Sequence, residues 1–117
     1  MNLLIIFFGG GAGSLLRYVL INSLSYEQSL NIIFVNIIGC FLMGALFAYF
    51  TNKGDFYTLF SIGVLGSFTT MSAFTHNTLE LILGSKYLNA FLYSITMVVI
   101  CLIANIIGYI LIKKLFG

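Results

Sequence analysis

Four stretches of this chain, at about 2–22, 30–50, 57–83 and 88–112, run long with almost no charge. Only Arg17 and Glu80 carry a formal charge inside them. A helix needs about 20 mostly apolar residues to cross the hydrocarbon core of a bilayer, and each stretch is that long. The links between them, SYEQS, TNKGD and GSK, are short and polar. Charged residues make up 7% of the chain, against roughly 25% in a soluble domain, so it cannot cover a water-facing surface. The expectation is an all-α membrane protein: one domain over residues 1–117 with four transmembrane helices, multi-pass in the cell membrane. The amino terminus shows no basic n-region and no A-x-A-like site, so no signal peptide is expected to be cleaved.

Four helices of this length enclose little interior, so any solute pathway is expected where two chains meet. Several function classes drop out. A net charge of +2 is too small for a nucleic-acid partner. Cys40 and Cys101 fall inside spans, so they read as small apolar side chains rather than a disulfide framework. Glu27 and Asp55 lie in links, Glu80 lies near the end of a span, and His76 is a lone histidine. No nucleophile–base pair and no metal-ligand cluster emerges, so the chain is not read as an enzyme.

An even number of spans puts both termini and the 51–56 link on one side, with Lys53, Lys113 and Lys114. Lys86 lies on the other side, and Arg17 leans toward it. By the positive-inside rule this slightly favours a cytoplasmic carboxyl terminus.

The polar residues inside the spans carry the functional information. In GGGAGSLLRY, Gly9 with Gly13 and Gly10 with Ser14 have the spacing that lets helix backbones approach closely. Arg17 reads either as a topology anchor that snorkels to the interface or as a fixed charge drawing anions to a vestibule. In VNIIGCFLMG, Asn36 either hydrogen-bonds a neighbouring helix or donates its NH2 to an anion. The third stretch is longer than a straight span requires and holds GSFTTMSAF near its middle. The chain has no proline, so glycine and hydroxyl residues must make any break there. Hydroxyls can satisfy groups that leave the helical ladder, and unwound carbonyls at membrane depth can coordinate a cation. Beyond the break, Met71, Phe74 and Thr78 share one face, with Ser72, Thr75 and Asn77 on an adjacent polar one. In the fourth stretch Tyr93, Cys101 and Asn105 fall roughly on one face, with interhelical hydrogen bonding as the simplest role.

Taken together, GGGAGSLLR, VNIIGCFLMG and GSFTTMSAF resemble, in order and on the right helices, the three patterns of the Fluc (CrcB) family of fluoride channels. The resemblance implies an antiparallel, double-barrelled dimer that exports fluoride passively and relieves its toxicity. It implies a structural Na+ at the dimer interface, held by the carbonyls of Gly66 and Thr69. It also implies that Arg17 is the vestibule arginine and that the pore is lined by Asn36, Met71, Ser72, Phe74, Thr75, Tyr93, Cys101 and Asn105. The chain departs from the family at Met71, where a phenylalanine is usual, at Ala73 for threonine, and at Asn77 for a polar-track glutamate. A thioether offers an anion no positive ring edge. The departures therefore point to a paired, non-identical partner subunit in the lipid bilayer, with a homodimer as the other arrangement. The alternatives are a non-conducting structural partner and a small multidrug-type proton-coupled transporter. The transporter would require an acid in the first span, which has none.

Overall fold

The computed structural model describes residues 3–117. Among these residues all regular structure is helical, as expected of a segment that must satisfy its own backbone inside a bilayer. Helix α1 spans Leu3–Ser23 and α2 spans Gln28–Tyr49. Helix α3, at 55–68, opens as an α-turn (Asp55–Thr58), widens into a π-helical stretch (Leu59–Leu65) and closes as another α-turn (Gly66–Phe68). Helix α4 is Met71–Leu83 and α5 is Tyr87–Phe116. Counting α3 and α4 as one bent crossing, four segments are long and apolar enough to span a membrane.

The break falls where the hydroxyl cluster predicts it. Thr69 (φ −76°, ψ 155°) and Thr70 (φ −142°, ψ 115°) are extended, between two helical segments. The π-helical stretch just before it was not expected. There the Gly66 N–H reaches back to the Ser61 carbonyl, the wider turn that often marks functional sites.

The helices associate in two parallel pairs, each seamed by glycine. Along α1 and α3, a Cβ on Gly13 would stand 2.1 Å from the Val64 carbonyl oxygen, and one on Gly9 would stand 3.0 Å from the Gly63 Cα. Along α2 and α5, a Cβ on Gly44 would lie 1.9 Å from the Asn105 carbonyl oxygen, and one on Gly108 would lie 2.1 Å from that of Phe41. Backbones this close gain dispersion contacts that larger side chains would forbid, which is how helices associate where lipid removes the hydrophobic drive. Helix α4 closes the bundle against α2 and α5, and a small core of Ile32, Phe74, Tyr93 and Met97 forms there.

That interior is thin. Among the described residues Ile32 and Val35 are the largest fully buried side chains, whereas large apolar side chains along α1 and α5, such as Phe7, Leu15, Leu88 and Ile106, are exposed. In water such a surface would aggregate; in lipid it is matched to its solvent. Where α2 ends, Lys53 donates to the carbonyls of Phe47 and Phe50 and sits 4.5 Å from the ring centres of Phe47 and Tyr57. A cation at a helix carboxyl terminus complements the macrodipole.

Candidate functional site

The site begins with the backbone groups that the break leaves unbonded. In an unbroken helix the Thr70 N–H would bond the Gly66 carbonyl, and the Ala73 N–H would bond that of Thr69. Neither bond forms. The Thr70 N–H donates to Asn36 Oδ1 at 2.8 Å, and the Ala73 N–H donates to Thr70 Oγ1 at 3.1 Å. Asn36 completes a reciprocal pair by donating its Nδ2 to the Thr70 carbonyl at 3.1 Å. One buried amide from α2 thus replaces the helical ladder on both sides of a single residue. The Thr70 hydroxyl, 3.2 Å from that of Ser72, serves as N-cap to α4.

The Ser67 carbonyl is also accounted for, since Arg17 Nη1 donates to it at 3.1 Å. Arg17 lies two turns beyond Gly9 and one beyond Gly13 on the same face of α1. The glycine seam therefore delivers the guanidinium to the last turn of α3. The carbonyls of Gly66 and Thr69 are left without their helical donors. Both are hard oxygen donors, suited to a hard cation such as Na+.

A cavity of about 210 Å³ opens beside the break. It is lined by Asn36, Cys40, Thr69, Thr70, Met71, Phe74, Met97, Val98 and Cys101. Phe74 is also a wall of a second cavity of about 210 Å³, with Thr75, Thr78, Leu79, Ile82 and Ser94. Its ring therefore stands between two hollows, one against the break and one along the hydroxyl-bearing side of α4. The ring is held by Tyr93, packed edge-on with centroids 5.2 Å apart.

The structure gathers Asn36, Thr69, Met71, Phe74 and Cys101 around the first cavity, and Thr75 around its neighbour. Ser72 and Thr75 are exposed side by side, and Thr75 Oγ1 donates to the Ser72 carbonyl at 3.0 Å. Tyr93 lies in the core behind Phe74, and its buried hydroxyl has no hydrogen-bond partner among the described residues. Asn105 stands apart from both cavities. It donates to the Cys40 carbonyl at 2.9 Å and lines a third hollow of about 410 Å³ with Gly44, Phe47 and Tyr109. Gly66 is exposed, next to the break.

Helix α4 does not divide into the expected faces, because Asn77 does not join Ser72 and Thr75. Asn77 is buried on the Phe74 side and donates to Ser29 Oγ, while Met71 is 69% exposed. The packed face runs through residues 74, 77 and 81, toward α2 and α5. That face has the i, i+3, i+7 spacing of neighbours on a helix. Thr70, Cys40 and Met97 were missed as members of the site. Cys40 and Met97 had a signal, since each stands four residues from a candidate, Asn36 and Cys101 respectively.

Over residues 4–109 the chain matches the family described as CrcB-like protein, Camphor Resistance (CrcB). The chain belongs to this family. It is 40% identical over 96% of its length to a Campylobacter jejuni protein named Fluoride-specific ion channel FluC, of which 98% is covered. Relatives of the same name occur in Helicobacter pylori (38% identical, 100% of this chain, 98% of the relative) and in Phocaeicola vulgatus (35%, 92% and 94%). The match to the CrcB-like family takes in α1 to α4 and most of α5, so the glycine seams, the break and both cavities lie within it.

Proposed function

We propose that this chain is a subunit of a fluoride-selective channel that lets the anion leave the cell passively and so relieves its toxicity. The observation that carries this reading is the near-full-length likeness to proteins named for fluoride conduction. The geometry supports it. Stripping a small anion of water costs tens of kcal/mol unless other donors replace the hydration. The hollows on either side of Phe74 are bordered by Thr69, Thr75, Thr78 and Ser94. Their hydroxyls donate to backbone carbonyls here and must rotate to meet an anion. Phe74 itself borders both hollows, and its ring edge is electropositive. Several weak sites of this kind let an ion enter and leave. Arg17, a fixed positive charge beside the break, favours anions nearby.

The pore is completed by a second, antiparallel subunit. The exposed side of the break and of α4, with Gly66, Met71, Ser72 and Thr75, is where we place it. The Gly66 and Thr69 carbonyls of the two subunits would hold a structural Na+, whose charge offsets four converging carbonyl dipoles. We infer a non-identical partner rather than a second copy, because Met71 brings a thioether where the family has a ring. Proton-coupled cation transport is disfavoured because α1 contains no acid.

The test is fluoride efflux from liposomes holding the purified chain alone and the chain co-purified with its partner. Fluoride efflux in preference to chloride is expected from the pair. Full efflux from this chain alone would refute the pairing, and none from either would refute the channel, leaving a non-conducting structural role.

A further inference from the structure

The cavity beside the break has a property that anion conduction does not use: it is rich in sulfur. The chain contains two cysteines and four methionines. Both cysteines and two of the methionines, Met71 and Met97, line this one hollow. Cys40 follows Asn36 by one turn on α2, and Cys101 follows Met97 by one turn on α5. The parallel register of those helices sets the two pairs opposite each other. Cys101 Sγ lies 3.9 Å from Met97 Sδ, and Cys40 lines the same cavity. Asn36 Nδ2 lies 3.4 Å from Met97 Sδ, which fixes the thioether at the cavity wall. Both cysteines are free.

We propose that this cavity is a binding site for a soft monovalent cation of the Cu(I) or Ag(I) class. Thiolate and thioether ligands select such ions, whereas harder cations prefer oxygen. No group of three or more His, Cys, Asp or Glu occurs among the described residues, so a borderline ion such as zinc lacks a ligand set. The charge balance suits the bilayer. One cysteine binds as thiolate and releases its proton to water, and the methionines add neutral dative bonds through sulfur lone pairs. A singly charged cation with one thiolate is a neutral complex, which avoids the cost of a buried net charge. No electron is transferred. Because the hollow is also the proposed fluoride path, a bound ion occludes that path, and the occlusion alone rests on the channel reading.

The probe is silver nitrate in halide-free buffer, added to the purified full-length chain in detergent and followed by desalting and elemental analysis. The wild type is expected to retain one silver ion per chain and to show thiolate-to-silver absorption in the ultraviolet, with zinc not retained. Replacing both cysteines (Cys40→Ala with Cys101→Ala) should abolish retention. Met71→Leu with Met97→Leu leaves both thiols in place and should weaken silver binding by at least about tenfold, the loss expected even for a supporting group at a metal site. Met71→Leu alone changes an exposed side chain and gives a weaker-binding variant that keeps the core. No retained silver, or retention unchanged by the methionine substitutions, overturns the site. In liposomes, silver that binds without slowing fluoride efflux overturns the occlusion. Vesicles that pass no fluoride even without silver bear on the channel reading and leave the binding result intact.

Discussion

The glycine seams and the break between α3 and α4 face the same constraint, a medium with no water to satisfy a backbone group, and meet it in opposite ways. Along the seams each helix keeps its own ladder, and small residues bring the backbones into contact. At the break the ladder is given up for two residues, and side chains supply what it loses. Asn36 arrives from 34 residues away and Arg17 from 50. A seam fails when anything is added. The break fails when a particular donor or acceptor is removed. The seams therefore carry the fold, and the break carries the site.

Substitutions can separate the two regions. The largest effect is expected at Gly44→Leu, because even a Cβ there would stand 1.9 Å from a backbone oxygen of α5. A loss of more than about 4 kcal/mol should leave no monodisperse protein on size-exclusion chromatography. A variant that purifies normally would mean the α2–α5 contact is not tight.

Asn36→Leu keeps the bulk but leaves the Thr70 N–H and carbonyl unpaired, at about 1–3 kcal/mol for each buried group. It should lower the thermal midpoint clearly and abolish fluoride efflux while still yielding folded protein. Asn36→Asp keeps the acceptor for the Thr70 N–H and loses the donor, so it should fall between the two. Equal damage from both substitutions would mean the reciprocal pairing is not what matters.

Thr70→Val removes the cap of α4 without changing shape, at about 1 kcal/mol. A small drop in melting temperature, with efflux reduced but present, is expected. Gly11→Ala should do nothing measurable, because a Cβ there meets no atom within 4 Å. If Gly11→Ala were as harmful as Gly44→Leu, glycine would matter in this bundle for some reason other than close approach.

The number and length of the crossings were legible in the sequence because lipid imposes a single rule, twenty or so apolar residues per span. The location of the break was legible because the hydroxyl cluster at 67–72 can meet a group that leaves the ladder, as the Thr70 hydroxyl does for the Ala73 N–H. Other features depended on distant partners. Asn36 was open between two roles, and only the fold brings it against Thr70. Arg17 was likewise open between two roles, and the Ser67 carbonyl to which the seam at Gly9 and Gly13 brings it was foreseen by neither. The π-helical stretch at Leu59–Leu65 leaves no periodic signature, since it adds less than one residue per turn. Asn77 was assigned to the wrong side of α4 because its polarity was grouped with Ser72 and Thr75, whereas its spacing of three from Phe74 and four from Leu81 puts it on the packed face.

The central claim, that fluoride passes the hollow walled by Asn36 and Phe74, is tested most directly by one measurement. Liposomes loaded with fluoride and chloride, holding the co-purified assembly, are followed with ion-selective electrodes for wild type and for Phe74→Leu. The account predicts rapid fluoride loss with chloride retained in the wild type, and a slowing of at least about tenfold in the variant, equivalent to roughly 1.4 kcal/mol of added barrier. Fluoride efflux untouched by the substitution, or retention of fluoride by the wild type, would contradict it.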